Sequence, residues 1–169
     1  MRGRAGRWSA VLVVWLLSSA VRAQDGNPLV PAPVRPKHLT VAAHVGAVVV
    51  SPGATVSLLA DITPNPGIHV YAPGSKGYVP IALTIATKKD ITPGKIVYPQ
   101  SETLFFAPLS ETVLVYQKPF RLTRPVTVAK SVKPGTTVVI TGSVDYQACD
   151  DKICFVPEAV PVSWTVRVK

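Results

Sequence analysis

Proline and glycine divide most of the chain into short segments, and this spacing constrains the fold more than any other feature. All 17 prolines lie after residue 27, and five of them form Pro-Gly dipeptides, which mark turns. The dipeptides begin at Pro52, Pro66, Pro73, Pro93 and Pro134. Between the turns stand short runs rich in Val, Ile, Thr and Tyr, which favour β-strands. Short strands separated by frequent turns are typical of an all-β sandwich.

Alternation of apolar and polar residues is clearest in two of these runs. Residues 160–168 carry valines and a tryptophan at every second position, and residues 55–63 alternate in the same way. Trp164 lies on the apolar face of the first run, so we expect it in the core. No helical period is visible after residue 23. Further strands are predicted at residues 39–45, 68–72, 80–86, 95–98, 111–115, 120–124 and 136–148.

The first residues have the pattern of a cleaved signal peptide. Three arginines precede an apolar run over residues 9–21, and Val21-Arg-Ala23 matches the small-residue pattern of a signal-peptidase site. The run is shorter than the roughly 20 residues that a membrane-spanning helix needs. We therefore predict a signal peptide over residues 1–23, a Pro-rich leader over 24–37 and one domain over 38–169. Such a protein is expected in the periplasm, not inserted in a membrane.

The charge pattern argues against binding to nucleic acid. The formal net charge of +9 falls by four when the arginines of the predicted signal peptide are removed. The remaining positive charge is scattered along the chain, and Lys88-Lys89 is the one adjacent basic pair. Nucleic-acid binding requires a clustered basic surface, so the sequence predicts no nucleic-acid partner. No cofactor-binding motif is present either, and no cofactor is predicted.

Cys149 and Cys154 are the two cysteines of the chain, and they lie close together. A disulfide between them closes a short ring. In the chain-entropy model such a ring contributes roughly 2 kcal/mol to the free energy of unfolding, against about 4.7 kcal/mol for a 100-residue loop. Strand-like segments flank Asp150-Asp-Lys152, so the cysteines are expected to face each other in a hairpin, at a spacing that permits a disulfide. A redox-active disulfide and a structural staple both remain open.

A metal site is the third and weakest interpretation of the cysteine pair. Two cysteines need two further ligands, and the three histidines, His38, His44 and His69, are isolated in the sequence. No metal is therefore predicted. His69 alternates with Tyr71 on one strand face, and we expect it to be a structural histidine whose hydrogen bonds are satisfied.

Three segments resemble the N-terminal periplasmic domain of the thiol:disulfide interchange protein DsbD. They are Tyr146-Gln-Ala-Cys149, Cys154-Phe-Val-Pro-Glu158 and Gly67-Ile-His-Val-Tyr71. The resemblance extends over about residues 38–169 and implies an immunoglobulin-like β-sandwich with one reversible disulfide. Members of this family accept electrons from a thioredoxin-like domain and pass them to periplasmic thiol proteins, including disulfide isomerases and proteins of cytochrome c maturation. The resemblance thus implies thiol-disulfide oxidoreductase activity and thioredoxin-like partners.

Carried over by position, the resemblance makes Cys149 and Cys154 the exchanging pair. By the family pattern, Cys149 is attacked while Cys154 is buried and resolves the intermediate. The tyrosines near the cysteines in the family correspond to Tyr71 and Tyr146. We expect the last two residues of the motif, Pro157 and Glu158, to shape the strand by which the chain leaves the hairpin.

The family also has a cap loop whose aromatic ring covers the disulfide until a partner displaces it. The segment around residues 101–108 lies in the corresponding place, so Phe105 or Phe106 is the candidate lid. Alternatively, both phenylalanines belong to the core.

The chain departs from the family pattern in three places. One residue fewer separates the cysteines than in the best-known members, and Val156 stands where they have a second proline. The sequence ends at Lys169 without membrane segments or a Cys-x-x-Cys domain. We therefore expect a monomer whose electron donor acts in trans, as a separate protein. The competing hypothesis is a non-catalytic β-sandwich interaction module in which the disulfide is structural.

Overall fold

A computed structural model describes residues 36–169 of the chain. The predicted signal peptide over residues 1–23 lies outside the described residues, as does the predicted leader up to residue 35. The described part is built from β-strands with a single 3₁₀ turn at Ala107–Leu109. In chain order the strands are β1 (Leu39–Val45), β2 (Val49–Val50), β3 (Thr55–Pro64), β4 (His69–Tyr71), β5 (Ala82–Ile85), β6 (Ile91–Pro93), β7 (Glu102–Phe106), β8 (Glu111–Tyr116), β9 (Phe120–Val128), β10 (Thr137–Tyr146), β11 (Ala148–Cys149) and β12 (Glu158–Val168).

The strands form three four-stranded sheets that pack together. The first sheet has the order β1-β3-β9-β6, the second β2-β12-β10-β5, and the third β11-β4-β8-β7. Neighbouring strands pair antiparallel except β2 and β12, which are parallel. The arrangement confirms the predicted all-β, immunoglobulin-like β-sandwich.

Alternation along the strands builds the core between the first two sheets. Every second residue of β3 from Val56 to Ile62 is buried, and the same holds for β12 from Val160 to Val168. Trp164 of β12 is fully buried, and its indole N–H donates to the carbonyl oxygen of Leu59 at 3.0 Å. This bond crosses from the second sheet to the first and satisfies the one polar atom of the ring. Trp164 is therefore in the core, as predicted.

Four short segments differ from the strands expected from sequence. The strand predicted at residues 95–98 is wrong, because only an isolated bridge between Val97 and Thr123 forms there. Val97 is mostly exposed, and the segment follows the Pro93-Gly94 turn and precedes Pro99, so too few residues remain for a regular strand. Sequence also missed β2, β6 and β7, which are short and lack a long run of β-branched residues.

A corner at Gln147 carries the chain from the second sheet to the third. Before it, β10 pairs with β12 and β5, and after it, β11 pairs with β4. The Gln147 amide holds the corner in place, since its Oε1 accepts from the N–H of Val79 at 3.1 Å and its Nε2 donates to the carbonyl oxygen of Phe155 at 3.3 Å. The corner places the end of β11 beside β4, in the third sheet.

Candidate redox site

The two cysteines are joined by a disulfide at the end of a tight hairpin. Their Cα atoms are 4.0 Å apart, and they form an isolated antiparallel bridge, which confirms the predicted hairpin. Asp150 closes the turn, because its Oδ1 accepts from the N–H groups of Lys152 and Ile153, each at 2.8 Å. These two hydrogen bonds, with Ile153 first, lower the pKa of Asp150. The turn is therefore fixed by its own first residue.

The two sulfur-bearing residues differ in burial. Cys149 is 0% exposed because β11 is covered in the third sheet, while Cys154 follows the turn and is half-buried. The expectation that Cys154 is the buried member of the pair is therefore wrong. Burial depends on the pairing of β11 with β4, which the family pattern alone did not reveal.

Tyr71 is the residue that contacts both sulfur atoms. Its hydroxyl oxygen lies 3.1 Å from Sγ of Cys149 and 3.3 Å from Sγ of Cys154, and its ring is fully buried. Burial is the main cause that raises the pKa of Tyr71, and the neighbouring Tyr78 adds to it. The hydroxyl therefore stays protonated and can donate a hydrogen bond to sulfur.

Tyr146 lies in the main core, and neither Tyr146 nor the half-buried Glu158 belongs to the cluster around the disulfide. They face each other across β10 and β12, and the Tyr146 hydroxyl donates to Oε2 of Glu158 at 2.9 Å. Burial, then this bond, raises the pKa of Tyr146. Nε2 of His38 lies 3.6 Å from the other Glu158 oxygen, and the His38 ring stacks on Phe155. Glu158 thus anchors the start of the exit strand, while Pro157 beside it is exposed.

A small apolar cluster surrounds the disulfide, and we call it the disulfide cluster. Its buried members are Tyr71, Phe106, Val113, Val115 and Cys149, with Tyr78, Leu104 and Cys154 packed against them. Of the two lid candidates, only Phe106 belongs to it, with 6% of its surface exposed. Phe105 points to the opposite face of β7 and is 63% exposed. The sequence could not choose between the two rings, because either register of β7 was possible.

His69 lies directly across from Cys149 in the pairing of β4 with β11. It is almost fully buried, with its ring edge-on to Tyr71 and Phe106. Its Nε2 has no hydrogen-bond partner among residues 36–169. The prediction of a buried structural position is confirmed, but the expectation that its hydrogen bonds are satisfied is wrong. Burial lowers the pKa of His69, against an opposing effect of Asp151 and Asp150.

We expect His69→Phe to stabilise the protein, and to do so more strongly in acid. An unsatisfied buried polar group costs about 1–3 kcal/mol, so the variant should gain about 1 kcal/mol at pH 7.5. Because the pKa of His69 is lower in the folded state than its usual 6.5, the unfolded chain binds the extra proton first as the pH falls below 6.5. Wild type therefore loses stability on acidification that the variant keeps. Urea unfolding at pH 7.5 and pH 5 measures both effects, and an identical pH dependence in the two proteins would contradict this account.

Two further residues adjoin the disulfide cluster and were missed by the sequence analysis. The Tyr78 ring stacks on Tyr71 with ring centroids 3.9 Å apart and 14° between the planes. The Tyr78 hydroxyl donates to Oε1 of Glu111, the first residue of β8. Tyr78 lies in a loop and Glu111 is distant in the chain, so no local pattern links either residue to the cysteines.

In residues 36–169, no group of three or more His, Cys, Asp or Glu side chains is arranged to hold a metal ion. Both cysteines are committed to the disulfide. Over the same range, no helix has the length and apolar character to cross a membrane.

The sequence that forms this hairpin and sandwich is similar to a known protein family. A family model of the N-terminal part of the thiol:disulfide interchange protein DsbD matches residues 18–163. The chain belongs to this family. The DsbD N-terminal family is periplasmic and has thiol:disulfide exchange as its general activity. No curated protein sequence matches the chain.

Two solved structures of N-terminal domains are similar to this DsbD-family chain. The N-terminal periplasmic domain of ScsB from Proteus mirabilis aligns with a TM-score of 0.57 and 13% sequence identity, covering 83% of this chain and 51% of that one. The chain thus spans about half the length of the ScsB domain. The DsbD N-terminal domain of Neisseria meningitidis in its reduced form aligns with a TM-score of 0.42 and 16% identity, covering 74% and 85% of the two chains.

Proposed function

We propose that this protein relays electrons between periplasmic thioredoxin-like proteins by opening and closing the Cys149–Cys154 disulfide. The observation that carries the proposal is the position of the disulfide: it joins the two cysteines of the family motif and lies against a protonated phenol. In this proposal the domain over residues 38–169 follows a signal peptide (1–23) and a leader (24–37).

The difference in burial supports Cys154 as the sulfur that the donor attacks first. A thiolate of the electron donor attacks the half-buried Sγ of Cys154, forms a mixed disulfide with it, and breaks the bond to Cys149. The electron pair of the broken bond goes to Sγ of Cys149, which takes up a proton. A second thiolate of the donor then attacks the donor's sulfur in the mixed disulfide and releases Cys154 as a thiolate, which takes up a proton from solvent. The donor leaves oxidised and this protein leaves with two thiols.

Exposed apolar side chains beside Cys154 are the contact surface for such a partner. Ile153 is 55% exposed and Val156 is 81% exposed, one on each side of Cys154 in the chain. Large exposed apolar residues in one place mark interaction sites more often than chance. Phe106, in the segment that corresponds to the family's cap loop, covers the disulfide and moves aside when the partner docks.

The reduction potential of the cysteine pair separates this proposal from a structural disulfide. We expect a value above about −300 mV, the level below which structural disulfides of secreted proteins lie. The pair is equilibrated with glutathione and dithiothreitol buffers, and the reduced fraction is read by thiol alkylation and mass shift. Reduction should lower the free energy of unfolding by no more than roughly 2 kcal/mol. A potential below −300 mV with a larger loss of stability would instead favour the interaction module.

A further inference from the structure

One buried side-chain atom near the disulfide is left without a hydrogen bond, and that atom is Nε2 of His69. His69 is 2% exposed. Among residues 36–169, its Nε2 is the single buried side-chain nitrogen or oxygen without a partner. Buried polar groups in folded proteins are almost always paired. An unpaired Nε2 beside a cysteine pair therefore points to a role in a second state of the protein.

The strand pairing places His69 and Cys149 on the same face of the third sheet. The two residues are directly opposite each other where β4 pairs with β11. Directly opposite residues have Cβ atoms roughly 4.5–5.5 Å apart, and their side chains point to the same side. Sγ is one bond from Cβ in cysteine, and Nε2 is three bonds from Cβ in histidine. A Cys149 sulfur released from Cys154 can therefore turn to within hydrogen-bond distance of Nε2.

The His69 ring has the same neighbours as the buried sulfur. It is edge-on to the Tyr71 ring at a centroid distance of 5.5 Å, and edge-on to the Phe106 ring at 6.2 Å. Both of these rings belong to the disulfide cluster together with Cys149. The Tyr71 hydroxyl lies 3.1 Å from Sγ of Cys149. The imidazole and the buried sulfur thus share one apolar environment.

Opening of the disulfide adds a hydrogen-bond donor to this environment. A disulfide sulfur carries no proton, whereas the thiol of Cys149 brings an S–H donor to a side chain that is 0% exposed. The Tyr71 hydroxyl faces this sulfur as a donor, so the thiol proton needs another acceptor. A neutral imidazole with its proton on Nδ1 offers Nε2 as that acceptor. Burial lowers the pKa of His69 against the opposing charges of Asp151 and Asp150, which favours the neutral ring.

We propose that the Cys149 thiol donates a hydrogen bond to Nε2 of His69 in the reduced protein, and that this bond raises the reduction potential of the cysteine pair. The bond exists in the reduced state only, because the disulfide sulfur has no proton to donate. It therefore stabilises the dithiol relative to the disulfide. Its use in electron relay rests on the thiol–disulfide exchange proposed above.

The electrons and protons balance when dithiothreitol opens the disulfide. Dithiothreitol gives two electrons and two protons and closes to a cyclic disulfide, while the Cys149–Cys154 bond becomes two thiols. The half-buried Cys154 thiol exchanges its proton with solvent. The Cys149 thiol keeps its proton between Sγ and Nε2 of His69. Oxidation removes that proton with the thiol and leaves Nε2 unpaired again.

His69→Phe tests the proposal, because phenylalanine keeps a ring beside the disulfide and offers no acceptor. The folded protein is equilibrated with dithiothreitol buffers, and the reduced fraction is read by thiol alkylation and mass shift. We expect the equilibrium constant for reduction to fall about tenfold, the scale of one buried hydrogen bond. For a two-electron couple this fall corresponds to a potential lower by about 30 mV. Equal potentials in wild type and His69→Phe would overturn the proposal.

Two further variants at the same position separate the acceptor from the packing of the ring. His69→Gln places an amide oxygen three bonds from Cβ, so its potential should lie closer to that of wild type than to that of His69→Phe. His69→Leu offers no acceptor and should behave as His69→Phe does, which also covers the case in which His69→Phe does not fold. A potential of His69→Gln as low as that of His69→Leu would contradict the role of the acceptor.

His38 provides the matched control, because it is a second buried histidine and stacks on Phe155 instead of facing a cysteine. His38→Phe should leave the reduction potential unchanged, since its effect on stability applies to both redox states alike. A fall in potential as large as that of His69→Phe would show that loss of any buried histidine has this effect, and the proposal would be wrong.

Infrared spectroscopy observes the hydrogen bond directly. In Cys154→Ala, Cys149 is the one thiol of the chain, and the frequency of its S–H stretching band falls when the thiol donates a hydrogen bond. Adding His69→Phe to Cys154→Ala should move the band to higher frequency. A band at the same frequency in both proteins would show that the thiol does not donate to His69. Urea unfolding confirms that each spectrum refers to folded protein.

The electron relay and the role of His69 fail in different ways. A wild-type potential in the range of structural disulfides counts against the relay, whatever the potential of His69→Phe. A wild-type potential above that range that His69→Phe does not change leaves the relay standing and overturns the role of His69.

Discussion

Cys154→Ser is expected to abolish thiol–disulfide exchange, whereas Cys149→Ser should trap partners as stable mixed disulfides. Cys154 is the half-buried sulfur at the open end of the hairpin, and Cys149 is fully buried in β11. A thiolate at position 154 can therefore reach a partner's disulfide, but without Cys149 nothing resolves the product. With Cys154 removed, the remaining sulfur is out of reach.

The measurement uses a thioredoxin-like domain with a Cys-x-x-Ser active site, its single thiol activated as an aromatic mixed disulfide. Non-reducing electrophoresis after mixing counts the protein–protein adduct, and mass spectrometry identifies the cysteine involved. We expect an adduct with Cys149→Ser, none with Cys154→Ser, and none with the double variant. An adduct on Cys149 with none on Cys154 would reverse the assignment and restore the order that the family pattern first suggested.

Both single variants also report on the staple hypothesis. In the chain-entropy model, loss of this short loop costs roughly 2 kcal/mol, so each variant should remain folded and differ little from the other. Circular dichroism and urea unfolding check this before any exchange is measured. A variant that fails to fold would show that the disulfide supports the sandwich far more than its loop length predicts.

Local patterns were enough to predict the sandwich and the cysteine hairpin. The alternation in β3 and β12 reflects burial of one face, which a sequence records directly. The cysteine turn is local as well, since Asp150 closes it through the N–H groups of Lys152 and Ile153. Tyr71 was found through its motif. Where the signal was short, as in β2 and β6, the strands could not be distinguished from loops.

The rest of the site depends on contacts between distant parts of the chain. The burial of Cys149 follows from the corner at Gln147, which moves the chain from one sheet to another. The unsatisfied His69 follows from the same pairing. Tyr78 and Glu111 are separated in the chain by three strands, β5, β6 and β7, and they meet only because the third sheet forms. No residue spacing encodes these contacts, so only the three-dimensional structure reveals them.

Phe106→Ala is expected to open the disulfide to small thiols and to destabilise the protein. Phe106 is buried in the disulfide cluster, with its ring edge-on to His69. Removal of a buried phenylalanine ring costs about 3 kcal/mol. If the cap hides the disulfide in roughly nine molecules out of ten, its loss speeds reduction by small thiols about tenfold. Stopped-flow reduction by dithiothreitol and urea unfolding measure the two effects.

Phe105→Ala is the matched control, because the two rings are neighbours on β7 and differ in the face they occupy. Phe105 is mostly exposed, so its loss should change neither the rate with dithiothreitol nor the free energy of unfolding by more than about 0.5 kcal/mol. If Phe106 is a lid, the folded protein should react faster with dithiothreitol only when the Phe106 ring is removed. If Phe106→Ala loses stability but reacts with dithiothreitol at the wild-type rate, Phe106 is a core residue of the third sheet, and protection of the disulfide must come from the Tyr71 side instead.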